Sequence, residues 1–316
     1  MRSGIKKINN KLPKLIPVFL LTIKNSSREF RIRKKLDHLK INYKIFYAID
    51  GKKSSNFETL DSIYNKKKCI HEMGRNMSYS EISTAEAHLR IYKHIIKQNI
   101  SSAVIMEDDC HPSKDLNRWL ILDSFFKKRN YDVIQIYHSF GLVYNRATEI
   151  VKNKFSIYRT CFTIPYATCY QISKKACRHI VNQNKLISRI ADWPINFHQT
   201  KLRQFIVLPY IVTLRHDHDK TSFQKNIWDY YKVIEGVKKF IPFYNFITAL
   251  FYLLHIPFIL RIYKDYPFYK ENYLLKKIFY IKNIFSNKYI NLGKTIKNKH
   301  FYPSDLVENA KKMKLL

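Results

Sequence analysis

Glycine is scarce in this chain: 6 among 316 residues, beside 10 prolines. So few chain breakers argue against a long disordered polypeptide. Acid is scarce too. Only 24 Asp and Glu stand against 57 Lys and Arg, a formal charge of +33. Cysteine is sparse: Cys69, Cys110, Cys161, Cys169 and Cys177 show no CxxC pair and no zinc spacing. An odd count speaks against a disulfide framework, so reduced thiols in a cytoplasmic protein are expected. No repeat with a period of about 20–50 residues is present, which excludes a solenoid. Long unbroken apolar runs are also missing. Residues 16–23 are apolar and follow Arg2, Lys6, Lys7, Lys11 and Lys14, but the run holds Pro17 and ends at Lys24 without a small-residue cleavage site. A buried first strand explains it better than a signal peptide.

Apolar residues make up 46% of the chain, enough for a sizeable core. Residues 16–23 (IPVFLLTI) read as a central strand, 28–40 as a helix, and 42–49 as a second strand ended by Asp50-Gly51. A strand–helix–strand opening suggests an α/β domain with parallel strands. Residues 52–77 are polar and irregular and read as a mobile flap. Ser78-Tyr79-Ser80-Glu81 fits a helix capping box, and Ile82, Ala85, Leu89, Tyr92 and Ile96 follow at helical spacing. Ala103–Met106 is a short buried strand. Residues 131–137 and 167–172 read as further strands, with Ser173 capping a helix to about Asn184. Residues 205–214 read as a last strand, placed at a sheet edge by Pro209.

The composition changes near residue 225. From there the chain carries many Lys and Arg and few acids, and 240–260 is largely aromatic and aliphatic. An α/β unit over 15–224 and a basic, mostly helical region over 225–316 are expected. The apolar stretch is interrupted by Pro242, Asn245, His255 and Pro257. A spanning helix needs about 20 largely apolar residues. A segment lying in the interface of an anionic membrane, or a helix packed on the core, fits better.

Four constellations carry chemistry. Glu107-Asp108-Asp109 follows a buried strand directly. Adjacent carboxylates repel one another, and a divalent cation removes that cost; Mg²⁺ and Mn²⁺ take carboxylate and phosphate oxygens. In an extended segment Glu107 and Asp109 share one side and can hold one metal, with Asp108 facing elsewhere. A solvated turn is the bland alternative. Glu81 and His88 lie seven positions apart, on one side of a helix; a cap and a half-buried structural histidine are the competing readings. Asp192, in Ala191-Asp192-Trp193-Pro194, is a candidate general base or a simple turn cap. His216-Asp217-His218-Asp219 offers His218 as a metal ligand, or a polar turn.

Taken together, these pieces resemble glycosyltransferase family 25, which includes lipopolysaccharide and lipooligosaccharide galactosyltransferases and collagen galactosyltransferase domains. The resemblance runs from about residue 16 to about residue 222. It rests on Leu20-Leu21-Thr22-Ile23-Lys24-Asn25 with Arg28, on Ala48-Ile49-Asp50-Gly51, and on Ser80-Glu81-Ile82-Ser83-Thr84-Ala85-Glu86-Ala87-His88. Two further segments belong to it: Ala103-Val104-Ile105-Met106-Glu107-Asp108-Asp109 and Thr168-Cys169-Tyr170-Gln171-Ile172-Ser173-Lys174-Lys175-Ala176. Asp192 falls at the family's Pro-Val-Asp step. Both glycines of the family's Gly-Glu-Ile-Gly step are replaced here, and Cys169 stands for another.

The resemblance implies a GT-A-type nucleotide-sugar-binding fold with a mixed central sheet. It implies inverting transfer of a sugar, often galactose, from a UDP-sugar with Mn²⁺ or Mg²⁺. Glu107 and Asp109 (with His218 as a further candidate) would hold the metal. Asn25, Arg28, Asp50, Glu81, His88 and Asp108 would line the donor site, and Asp192 would be the base. The implied partners are a nucleotide-sugar donor and a glycan or glycolipid acceptor such as lipooligosaccharide; the basic tail, which the resemblance does not cover, adds an anionic membrane surface on the cytoplasmic face. The rival from charge alone is a polyanion- or nucleic-acid-binding protein. It lacks any RNP-like, zinc-finger or helix-turn-helix pattern. A membrane-bound scaffold without catalysis is the second rival, and the intact Glu107 and Asp109 argue against it.

Overall fold

The computed structural model describes residues 15–214, except 74, 130, 139–141, 145–146, 161–162, 165–166, 193, 196 and 198–199, and adds the backbone of 289–291. Strand β1 (Val18–Thr22) is buried at every residue. Helix α1 (Ser27–His38) follows, and strand β2 (Tyr43–Tyr47) returns parallel to β1. The start of α1 is fixed locally. Ser26 accepts the Glu29 N–H, and Glu29 Oε2 in turn accepts the Asn25 N–H at 2.7 Å. Asn25 stands at φ 61°, a left-handed conformation that Asn tolerates better than most residues.

Residues 52–77 are not the loose flap that their polarity suggested. A 3₁₀ turn (Ser54–Asn56) leads into α2 (Phe57–Ser62) and α3 (Lys66–Met73). Leu60, Cys69, Met73 and Met77 pin this stretch into the same apolar cluster as Ile82. Anchors this sparse leave no periodic signal, yet each buries a whole side chain. Helix α4 (Tyr79–Lys97) then begins with the expected capping box between Ser78 and Glu81, a device whose loss costs about 1 kcal/mol. Gly51 lies under its first turn. A Cβ there would come within 2.6 Å of the Tyr79 and Ser80 backbone, so glycine is required by space.

The remaining elements are β3 (Ser102–Glu107), β4 (Cys110–Pro112), α5 (Asp115–Leu120), α6 (Asp123–Lys127), β5 (Val133–Gln135), β6 (Leu142–Tyr144), β7 (Glu149–Val151), β8 (Phe155–Arg159), β9 (Cys169–Ser173), α7 (Lys174–Gln183), β10 (Gln204–Leu208), β11 (Val212–Leu214) and β12 (Tyr289–Asn291). Eight strands form one mixed sheet in the order β2-β1-β3-β9-β5-β10-β8-β7. Strands β2, β1 and β3 are mutually parallel, β5 and β10 likewise, and β9 runs against β3 and β5. The carboxyl ends of β1, β2, β3, β5 and β10 therefore share one rim, where the amino end of β9 joins them. Open α/β sheets bind their ligands at such a rim.

Two readings of the sequence change here. The apolar run 205–214 is two strands in different sheets, and β10 is internal, paired with β5 and β8. Pro209 sits just past β10, where no ladder N–H is asked of it. The region expected to be basic and mostly helical, 225–316, lies outside the described residues apart from β12, a short strand paired with β6. No helix among the described residues is long and apolar enough to cross a membrane.

Strand alternation divides the core in two. Phe19, Leu21, Ala103, Ile105, Tyr170 and Ile172 face α4, α7 and the short helices α2 and α3. Val18, Leu20, Val104, Met106 and Cys169 face α1, α5 and α6, where fully buried Trp119 donates its indole N–H to Gln171 Oε1 at 2.8 Å. A sheet covered on both faces needs strands with apolar runs on both sides, as Val18–Leu21 of β1 and Ala103–Met106 of β3 supply.

Candidate active site

The acidic triplet stands on the carboxyl rim, at the end of β3. It is not extended. Glu107 is the last residue of the strand, and Asp108 and Asp109 form a turn into β4. The expectation that Glu107 and Asp109 share a side because of strand alternation fails for that reason. Alternation governs Glu107 and its successor instead. Glu107 continues the Ala103, Ile105 face toward α4, and Asp108 turns to the α1 face. There Asp108 Oδ2 accepts the Thr22 hydroxyl at 2.7 Å and Oδ1 receives Arg28 Nη1 at 3.4 Å. Asp108 is thus held by protein groups.

Glu107 meets His88, which is 1% exposed. His88 Nε2 lies 3.0 Å from Glu107 Oε1, and His88 Nδ1 lies 2.7 Å from the Tyr170 hydroxyl. Burial pushes the His88 pKa down to about 4 against the pull of Asp192, so the ring is neutral. Burial raises Glu107 to about 8, helped by the charges of Asp192 and Asp108 and opposed by Arg28. Glu107 still exposes 24% of its side chain, so a ligand can reach it. Asp109 is pushed up to about 7 by burial and by Glu107 and Asp108. Its Oδ1 is buried without a hydrogen-bond partner. Two carboxyl groups that resist ionisation, one with an unmet oxygen, suit a divalent cation. No group of three His, Cys, Asp or Glu among the described residues converges as a ready ligand set. A cation here would therefore draw its other ligands from substrate phosphate and water, as Mg²⁺ and Mn²⁺ commonly do.

Asp192 reaches this place from the loop after α7. Its Oδ1 accepts the Ala167 N–H at 2.7 Å. The next residue, Thr168, gives its carbonyl to the Glu107 N–H at 2.8 Å. The amino end of β9 thus ties Asp192 to the triplet. Its charge is felt at both Glu107 and His88.

The other candidates divide. Arg28 joins the site through Asp108. Asn25 shapes the turn before α1 and contributes its backbone N–H to Glu29. Asp50 caps its own turn, accepting the Lys52 N–H at 3.0 Å. Glu81 is drawn away: Arg75 grips both its oxygens, at 2.6 and 3.0 Å. Sharing one side of α4 did not bring Glu81 and His88 into one network. His218 lies outside the described residues. Sequence reasoning missed Thr22, Tyr170 and Tyr92. Alternation along β9 was the available signal for Tyr170, since Tyr170 and Ile172 face the α4 side.

No curated protein matches the sequence. Among solved structures, the crystal structure of A197 from STIV aligns with 67% of this chain and 100% of its own, at 12% identity and a TM-score of 0.35, a likeness too loose to define even the fold. The family model described as glycosyltransferase family 25 (LPS biosynthesis protein) matches residues 15–195. That span holds α1, α4, the acidic turn, β9 and Asp192, and over it the chain belongs to glycosyltransferase family 25 and is a glycosyltransferase.

Proposed function

We propose that the enzyme is a divalent-cation-dependent, inverting glycosyltransferase of GT-A type. In this reading it moves a hexose, with galactose the first candidate, from a UDP-sugar to a surface glycan such as lipooligosaccharide. The observation that carries the reading is the unmet carboxylate oxygen of Asp109, buried beside a Glu107 that burial and its acidic neighbours keep from ionising. Glu107 and Asp109 bind the cation, Mn²⁺ or Mg²⁺. When bound, it neutralises charge on the leaving diphosphate. Arg28 and Thr22 hold Asp108 at the rim, next to the N-terminus of α1, where N–H groups favour an anion. Asp192 takes the proton from the acceptor hydroxyl. That oxygen attacks the anomeric carbon from the face opposite UDP, and the bond to the β-phosphate oxygen breaks. Asp192 suits the task by its place beside Glu107 and His88, oriented by the Ala167 N–H.

The basic region after 225 supports peripheral attachment to an anionic membrane on the cytoplasmic face, where glycolipid acceptors are built. The deciding experiment is a donor screen of the purified protein with Mn²⁺, a panel of UDP-sugars and a lipooligosaccharide acceptor, read as UDP release. Transfer abolished by EDTA and by Asp109→Ala is expected. Undiminished turnover under EDTA would remove the metal from the mechanism.

A further inference from the structure

Behind Glu107 runs a line of polar groups that the reaction itself does not use. The Tyr92 hydroxyl lies 2.5 Å from the Tyr170 hydroxyl, Tyr170 lies 2.7 Å from His88 Nδ1, and His88 Nε2 lies 3.0 Å from Glu107 Oε1. Tyr92, His88 and Tyr170 are all buried, with exposures of 2%, 1% and 4%. They sit on two elements, α4 and β9, within the apolar cluster that includes Leu89, Ile105 and Ile172. Polar groups in such a place cost stability unless each is matched. Phe at both tyrosine positions would fill the volume without that demand.

The hydrogens can be followed from the rim inward. A carboxylate that serves a cation is ionised and only accepts. His88 Nε2 must then carry the hydrogen and donate it to Glu107 Oε1. His88 Nδ1 is left as an acceptor, so the Tyr170 hydroxyl donates to it. Tyr170 has one hydrogen to give, so its oxygen accepts from Tyr92. Each donor has one place to go, and the ring cannot flip or change tautomer without breaking two bonds.

We propose that His88, Tyr170 and Tyr92 are positioning residues. Their hydrogen-bonded line fixes His88 with its hydrogen on Nε2, occupies Glu107 Oε1, and leaves Oε2 as the one oxygen Glu107 presents to the donor's cation. This rests on the metal assignment of the proposed function and deepens it. Histidine here does not touch the nucleotide. It does for a carboxylate ligand what outer partners of metal ligands do in general, setting orientation and basicity.

Two measurements test it. The first needs no variant. Long-range ¹H–¹⁵N spectra of the histidine rings, recorded with saturating Mg²⁺, should show His88 protonated on Nε2 and bare on Nδ1. A hydrogen on Nδ1 overturns the proposal. The second is Mn²⁺ binding, read as loss of the free-ion electron paramagnetic resonance signal. Tyr170→Phe should raise the midpoint Mn²⁺ concentration about tenfold and His88→Ala about a hundredfold, with His88→Gln, which keeps a donor toward Glu107, recovering about tenfold. Unchanged midpoints in Tyr170→Phe and His88→Ala overturn the proposal. Glu107→Ala separates the two claims. Mn²⁺ binding that survives Glu107→Ala removes the metal assignment, while the ring spectra still decide how His88 is held.

Discussion

Asp109→Asn should stabilise the metal-free protein while abolishing its activity. The reasoning runs from the buried, unpartnered Oδ1 of Asp109 and its pKa of about 7 against an ordinary 3.8. A raised acid favours the protonated folded state. Its stabilising share is complete at low pH and is lost as pH rises from the unfolded value through the folded one. At about 1.4 kcal/mol per unit, the full loss by pH 8 is about 4 kcal/mol. The residue is only partly covered, and solvent screening about halves this figure. Asparagine removes the charge at nearly the same volume. A net gain of about 2 kcal/mol at pH 8 in EDTA follows, or about 3–6 °C in thermal midpoint for a domain of this size. Below about pH 4 the wild type is itself uncharged there, and the gain vanishes. Thermal unfolding of both proteins at pH 8 and pH 4, in EDTA and then in Mn²⁺, measures the effect. Mn²⁺ should raise the wild-type midpoint and leave Asp109→Asn nearly unmoved. A variant less stable than the wild type in EDTA at pH 8 would refute the idea that this site stores unpaid charge.

Two other perturbations probe the frame. Gly51→Ala pushes a methyl to within 2.6 Å of the backbone that opens α4; a loss of about 1–3 kcal/mol is expected in urea unfolding, with reduced activity because α4 carries His88. Buried His138 is held by the Val207 carbonyl and the Tyr210 hydroxyl, each at 3.3 Å, and burial pushes its pKa down to about 4. The unfolded chain takes up a proton below about pH 6.5 that the folded chain refuses until about pH 4, so this residue costs about 3 kcal/mol of stability across that window. The stability gap between wild type and His138→Gln should therefore shrink by about that amount from pH 7 to pH 4; a gap that stays constant would contradict the assignment.

Local signals in the sequence were reliable where the physics is local. The Ser78–Glu81 capping box, the Ser173 cap of α7 and the buried strand before Glu107 all read directly, because each depends on neighbours a few positions away. Strands β7 and β8 gave no distinct pattern. Short strands with mixed burial, such as Phe155–Arg159, alternate too briefly to stand out. Polar 52–77 misled for a related reason: four buried anchors suffice to fold it, and four scattered side chains have no period. The site was legible in its residue types and not in its contacts. Asp192 was named, but the Ala167 N–H that holds it is 25 positions away in the chain. His88 was named, but its partners Tyr170 and Glu107 come from two strands joined only by the sheet. Glu81 shows the converse, since Arg75, six positions earlier, claims it.

The acidic turn is shared between the two sides of the sheet, Glu107 with the α4 layer and Asp108 with the α1 layer. Each carboxylate is therefore positioned by a different layer. Substitutions that shift α1 will move Asp108 and its Arg28 and leave Glu107 where α4 and β9 keep it. The two halves of the turn can accordingly be altered separately, Asp108 through α1 and Glu107 through α4 and β9.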